Sequence, residues 1–434
     1  MKNNSLQYID TTVPVVILNS GLYDGLGILR SLGKLGVQAY VVTPSLQLPV
    51  VSSKFCKGIF TWNFHNEPGE STVEFLQNVS NNFNCKPVLM YTNDEIMLFV
   101  QKYGELLKEW FLFSQISTEL AWSLYSKKEM FFLASKNNIP VPRSFFPQSS
   151  EHLSKMADHL NFPLLLKGID GVLMDKYEGK KMMANNKTEL LEYYEAIEYP
   201  DTPNVIIQEY IPRDDNSHWI FDGYFNEQSD CLVEFTGKKL RQYPPHFGMT
   251  TYGVCKKNEN LSAISKNFMK TVGYKGIVGM DYCYDIRDQR YKVVDVNIRI
   301  AANFRLFVGT NGVDVAQAQY LDLTGQKVPD TTFREERKWI VEDKDLLASY
   351  HYIREGSLTI WSWMRSIFGI RELGYFNFWD QLPFWRMIWN HIKRHLTRFE
   401  KQNAFEIAMD KRNTTIQIVQ EKNIIQNMSK ELLL

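Results

Sequence analysis

The chain has no excess of charge of either sign. Lys and Arg number 49, and so do Asp and Glu, so no global field draws it toward nucleic acid. Cysteine is scarce: Cys56, Cys85, Cys231, Cys255 and Cys283 are scattered, odd in number and without a C-x-x-C pair. That argues against a disulfide framework or a zinc site and fits a reducing compartment. No apolar run approaches the roughly 20 residues needed to cross a bilayer. The opening MKNNSLQYIDTTVP also lacks the apolar core of a signal peptide, so a soluble, cytoplasmic globular protein is expected. Missing too are G-x-G-x-x-G spacing and a P-loop: Gly27 and Gly33-Lys34 stand one residue too far apart, and Leu35 replaces the required Ser/Thr. Nor is there a Ser/His/Asp or Cys/His arrangement to supply a side-chain nucleophile. At 434 residues the chain is long enough for two or three domains.

What is present begins with a β-α-β unit. Val13 to Leu18 is a short apolar run, LGILRSLGKLG carries helical periodicity, and Val37 to Val42 reads as a second strand. Glycines at 21, 25 and 27 either touch a nucleotide or let a helix start close to its strand. A third strand, Pro87 to Tyr91, ends in Thr92-Asn93-Asp94-Glu95. Acids there either face a ligand at the carboxyl end of a parallel strand or cap the next helix. From Ser126, SKKEMFFLASKNNIPVP predicts a helix over Lys127, Met130, Phe131 and Ala134 and then an extended Pro-x-Pro segment. FPLLLK predicts a buried strand ending at Lys167, which needs an anion or a route to solvent. VIIQEYI is another strand, followed by a polar turn over 212–217. Return strands run through Phe221 to Phe225 and through Val233 to Lys239, and Leu261 to Val272 is an amphipathic helix. Beyond Gly312 the chain reads as helical. Residues 358–398 hold nine Trp and Phe and six basic against two acidic residues. Such a segment either packs on the protein body or lies in a membrane interface.

The stretch GIVGMDYCYDIRDQRYKVVDVNIRIAANFR, residues 276–305, reads as two strands about a turn near Asp288. Period-2 alternation groups Asp281, Cys283 and Asp285 on one strand and Val293, Asp295, Asn297 and Arg299 on the other. Antiparallel pairing then sets Asp281 across from Asp295, and two opposed carboxylates repel unless a cation lies between them. Asp281, Asp295 and Asn297 suit Mg²⁺, which takes one or two carboxylates and completes its shell with phosphate and water. A solvated acidic hairpin is the alternative.

Taken in order, Lys127, Lys167, Gln208-Glu209 and this hairpin resemble the ATP-grasp superfamily, and more closely its carboxylate–amine ligase branch that contains the D-aspartate ligases. The similarity spans about residues 13 to 330. SKKEMFFLASKNNIPVP, FPLLLK, VIIQEYIP, GKKLRQYPPHFG and D281…D295-V-N297-I-R299 are each similar to a motif of that family. The resemblance implies α/β and α+β architecture. A Rossmann-like domain would occupy 1–115, an ATP-grasp domain 116–330 and a helical, aromatic-rich extension 331–434. It implies that Lys127 and Lys167 contact ATP phosphates, and that Gln208, Glu209 and Ile211 line the adenine pocket. Asp281, Asp295 and Asn297 would hold Mg²⁺, with Mn²⁺ as the alternative ion. Arg299 would stand against the transferred phosphoryl or the acyl phosphate, and Arg241 against the substrate carboxylate or the γ-phosphate. The activity implied joins a small-molecule or peptide carboxylate to an amine through an acyl phosphate. Carboxyphosphate or kinase-like chemistry, and a weakened nucleotide-binding protein at a membrane surface, are the rival readings; a homodimer also stays open. Ser126 replaces an acid common before the lysine, Ile298 replaces Pro, and Asp295 replaces Glu. Only Gly168, Gly171 and Gly179 populate the stretch after Lys167, where many relatives have a denser phosphate loop.

Overall fold

The computed structural model describes residues 9–397, apart from 20, 22, 68, 170–180, 199–202, 213–216 and 395. Gly171 and Gly179 of the expected lid, most of the polar turn over 212–217 and the chain beyond 397 lie outside the described residues.

Three sheets carry the molecule. The first is parallel, with β1 (Val15–Leu18), β2 (Ala39–Thr43), β3 (Cys56–Thr61) and β4 (Val88–Tyr91) in the order β3-β2-β1-β4. The β-α-β unit is present, its helix spanning Asp24–Gly33. β1 is buried throughout, as a central parallel strand must be. Val15 and Ile17 pack into one core, Val16 and Leu18 into another. Strand β3 was not anticipated from the sequence. It lies at the sheet edge with every second residue exposed, so no continuous apolar run marks it. Gly27 has a packing role: a Cβ there would come within 3 Å of Phe304 and Arg305 side-chain atoms.

The second sheet contains β5 (Ser144–Phe145), β6 (Leu164–Gly168), β7 (Met182–Ala184) and β8 (Val205–Glu209), ordered β5-β8-β6-β7 and antiparallel. It keeps a core of its own, in which Leu164, Leu166 and Ile207 meet Leu153 and Leu190 of two covering helices.

The third sheet has seven strands: β9 (His218–Phe225), β10 (Cys231–Tyr243), β11 (Met249–Cys255), β12 (Gly276–Asp285), β13 (Arg290–Asn297), β14 (Lys338–Ile340) and β15 (Ile370–Leu373). Their order is β13-β12-β9-β10-β11-β14-β15. The expectation of a helical region beyond Gly312 is corrected here. β14 and β15 extend the main sheet, with Trp339 only 1% exposed. Each strand is three or four residues long, too short for periodicity to reveal. One continuous core joins the first and third sheets: Ile17 and Leu29 share it with Phe235, Phe307, Tyr320 and Trp339. The same junction holds a buried charge. Arg30 donates from Nε to Asp380 at 2.9 Å and from Nη2 to the carbonyls of Tyr375 and Asp380.

Candidate active site

The hairpin forms in the expected register. Asp281 of β12 pairs with Asp295 of β13, and Gly279 with Asn297. A bulge immediately follows, because Tyr282 pairs with Val293 and leaves Val294 unmatched. The extra residue reverses which face the earlier part of β13 presents. Val293, expected beside Asp295, turns instead into a core cluster, while Lys292 comes round beside Asp285 at 2.7 Å.

Asp281, Asp295, Asn297 and Arg299 line a cavity of about 610 Å³. Its walls come from all three sheets. Lys167 comes from β6 and Lys181 from just before β7 of the second sheet, Lys239 and Thr250 from the third, and Tyr23 and Asp94 from the helix starts that follow β1 and β4 of the first. Beside it lies a narrow slot lined by Met130, Phe131, Val141, Ile206 and Val293, with Lys127 and Gln208 at its polar edge. Lys167 lines both spaces and donates to Gln208 Oε1 from a nearly buried position. Lys127 opens the helix Lys127–Lys136. Ser126, standing where relatives often have an acid, caps that helix through the Glu129 amide.

Electrostatics centre on Asp295. Burial pushes its pKa up, but Lys127, Lys181, Lys239 and Lys167 together pull it below the ordinary carboxylate range. Four cations around one carboxylate make a site ready for further negative charge. Asp281 accepts from Lys239 at 2.6 Å. Arg299 is fixed by Asp94, with Nε to Oδ1 at 2.8 Å and Nη2 to Oδ2 at 3.2 Å, and its Nη2 also reaches Asn297 Oδ1. Burial lowers the Arg299 pKa, but Asp94, Asp24 and Asp295 more than offset this and hold it above the ordinary value. Asp94 thus faces the cleft, while its neighbour Asn93 caps the helix.

Three of the expected residues, Arg241, Ile211 and Glu209, line neither space. Arg241 does not line the cleft. Between Lys239 and Gln242 the β10–β11 ladder is irregular twice, and this turns Arg241 away from the face that carries Lys239. Its guanidinium makes two 2.8 Å bonds to Asp345, one of 2.9 Å to Ser366 Oγ, and stacks 4.1 Å from the Tyr252 ring. The basic turn does supply the site with a cation, but it is Lys239. Ile211 is buried and, among the described residues, lines neither space. Glu209 stands at the end of β8, and its carboxylate is already engaged. It takes the Arg143 amide and Lys292 at 3.0 Å on one oxygen and Arg287 at 3.0 Å on the other. Burial raises the Glu209 pKa, and these donors bring it below the usual carboxylate range.

Comparison with solved structures decides the fold. Along about three quarters of its length the chain matches the biotin carboxylase domain of Hydrogenobacter thermophilus 2-oxoglutarate carboxylase, solved as a dimer with MgADP, ADP and bicarbonate. The TM-score is 0.58 with 14% identity, over 76% of this chain and 74% of that one. It matches Staphylococcus aureus N5-carboxyaminoimidazole synthetase complexed with ADP equally well, at TM-score 0.58 and 14% identity, over 76% and 82%. The L-amino acid ligase of Bacillus licheniformis gives 0.55 and 13%, over 76% and 79%. This is the ATP-grasp fold. In sequence, the chain is similar to a D-aspartate ligase of Enterococcus faecium (strain Aus0004). The two are 24% identical over 246 residues, covering 54% of this chain and 57% of that protein. The chain therefore spans little more than half the length of the curated relative it matches. No family model matches it.

The donor set fits a hard cation in an ATP-grasp cleft. Among the described residues no three His, Cys, Asp or Glu side chains are grouped so as to hold a metal ion by themselves. The site offers two opposed carboxylates and one amide oxygen instead. Such a set leaves room for phosphate oxygens and water, as Mg²⁺ prefers.

The sequence reading also passed over acids beneath the cleft. Asp24, at the start of the helix after β1, is buried with Oδ2 unpartnered, and burial raises its pKa to about 6. Asp222 on β9 is fully buried with both oxygens unpartnered, and burial followed by Asp314 pushes its pKa far up. A lone acid inside an apolar strand carries no spacing signal.

Proposed function

We propose that the chain is an ATP-dependent ligase that joins a carboxylate to an amine. The observation that carries this reading is the convergence of Lys127, Lys167, Lys181 and Lys239 on Asp295, which lines the large cleft with Asp281, Asn297 and Arg299. In this reading residues 1–115 are a Rossmann-like domain, 116–330 the ATP-grasp domain and 331–434 an extension whose strands β14 and β15 continue the main sheet. ATP lies with its base toward the apolar side chains of Met130, Phe131 and Ile206 and its phosphates along the lysines. Gln208 sits at the slot edge, and the backbone near Glu209 reads the purine.

Phosphoryl transfer demands charge neutralisation and alignment more than covalent help from the protein. A substrate carboxylate oxygen forms a bond to the γ-phosphorus as the bridge to the β-phosphate breaks, giving an acyl phosphate and ADP. Lys167 and Lys239 serve as point charges on the migrating oxygens. Arg299, held in place by Asp94, offers its planar donors to the phosphoryl group or the acyl phosphate. The amine nitrogen then attacks the acyl carbon, phosphate leaves, and one proton is released. Asp281, Asp295 and Asn297 would hold Mg²⁺, or Mn²⁺ with the same oxygen preference, and the ion would supply charge neutralisation between phosphates. The acceptor amine approaches from the Tyr23 and Asp94 side. All five cysteines are free thiols, in keeping with a cytoplasmic setting.

The test is ADP release by purified protein across a panel of carboxylates and amines, with products followed by mass spectrometry. A new amide formed only when both are present supports ligation. Release driven by bicarbonate alone would move the reading to carboxyphosphate chemistry. Asp295→Ala is expected to abolish Mg²⁺-dependent turnover with the unfolding midpoint kept; retained turnover would remove the metal assignment.

A further inference from the structure

The aromatic segment does not pack on the protein body as a whole. Among the described residues, 360–396 holds twelve of the twenty-three exposed large hydrophobic side chains. The helix Ile360–Ile367 buries none of its residues. It presents Ile360, Trp361, Met364 and Ile367 to solvent, with Trp361 75% exposed. The helical residues 382–394 are apolar on two faces. Phe384, Met387 and Ile388 seat on the core. Leu382, Trp385, Trp389, Ile392 and Leu396, spaced three and four apart, face outward, with Trp389 64% exposed. Between the two helices Phe378 and Trp379 form an exposed edge-to-face pair. Exposed apolar surface on this scale marks an interaction site rather than ordinary surface.

Charge says what covers it. Only two acids occur between 360 and 397, Glu372 and Asp380. Both are neutralised internally: Glu372 by Arg305 and Arg337, Asp380 by Arg30. Arg365, Arg371, Arg386, Lys393 and Arg394 remain, all at least partly exposed. A second copy docking face to face would set five cations against five. The chain after 397 carries six basic and five acidic residues and so offers no opposite field.

We propose that this face, residues 360–396, docks the protein on an anionic lipid bilayer, with Trp and Leu side chains entering the headgroup boundary and the arginines and lysines on lipid phosphates. Tryptophan suits that boundary because its ring is apolar and its N–H polar. Among the described residues no helix is long and apolar enough to cross a membrane, so the contact is peripheral. It is independent of the ligase reading and would position that site near a lipid-borne or membrane-proximal substrate.

The test is sedimentation of full-length protein with vesicles of phosphatidylcholine alone or with one third phosphatidylglycerol. Binding is expected only to the anionic vesicles, weakening as salt is raised. Arg386→Gln with Lys393→Gln should lower partitioning roughly fivefold per charge. Trp385→Ser with Trp389→Ser should lower it by about tenfold or more, with ADP release unchanged. Three results would overturn the proposal. Wild-type protein could stay in the supernatant of anionic vesicles. Both double variants could bind as wild type does. Light scattering could show a dimer that the tryptophan variant abolishes while vesicle binding is absent, making the face a self-interface.

Discussion

Arg241 separates the pull of a sequence motif from the demands of packing, and it can be tested. Its side chain is 6% exposed and that of Asp345 is 2%. The pair shares two 2.8 Å bonds. Thr251, Ser349 and Trp363 donate to the same carboxylate at 3.1, 3.4 and 3.3 Å. Arg241→Met removes the cation and leaves Asp345 buried with only neutral donors. Breaking a buried pair from one side costs about 3–5 kcal/mol. At a urea dependence of about 3 kcal/mol per molar, that is a fall in midpoint of roughly 1 M or somewhat more. Replacing both partners, as Arg241→Met with Asp345→Leu, removes the orphaned charge and should recover most of the loss. Intrinsic fluorescence in a urea series reads the midpoint; ADP release per folded molecule reads the site. Stability should fall while turnover per folded molecule holds. An unchanged midpoint with turnover lost would refute the geometry and return Arg241 to the phosphates.

The other predictions concern the cleft. Lys239→Met should leave the fold intact, since its partner Asp281 stays 22% exposed, and should lower kcat by on the order of 10²–10³, as loss of one preorganised charge does; a normal kcat would show that Lys239 merely balances Asp281. Asp24 gives a pH signature. Its folded pKa of about 6 stands above the 3.8 of a free carboxyl, so the unfolded chain ionises first as pH rises. Stability attributable to Asp24 is therefore lost between those two values, and the full cost, at most roughly 3 kcal/mol, persists above them. Asp24→Asn should raise the thermal midpoint at pH 7 and leave it unchanged near pH 4; equal effects at both would show that packing, not ionisation, is responsible.

How much could be read in advance depended on whether a residue's role was set locally. The β12–β13 hairpin was legible because alternation and a polar turn fix register, and Asp281 does pair with Asp295. Lys127 and Lys167 were singled out through the resemblance of their motifs, and the structure sets both at the edge of the slot beside the cleft. The bulges were not. One unmatched residue at Val294 exchanged Val293 for Lys292, and the irregularity after Lys239 exchanged Arg241's side of the sheet. Both depend on how a neighbouring strand fits, which no spacing in the bulged strand reports. β14 and β15 escaped notice for a related reason: at three and four residues they exist only because β11 offers an edge.

The Arg30 junction bears on how the chain comes to be made. Its partners lie 344 to 350 positions downstream, at Gly374, Tyr375 and Asp380. During synthesis the amino-terminal sheet therefore emerges with its guanidinium unpaired, and must stay loose or hydrated until nearly the whole described chain has left the ribosome. Loop closure over that span adds only slowly to the entropic cost, but the waiting time is tens of seconds at ordinary elongation rates of about 5–20 residues per second. A chain stopped before Tyr375 would keep its nucleotide lysines and its acidic hairpin yet leave a charge stranded in its core. The late-made segment just beyond β15 is in this sense the clasp of the first-made sheet.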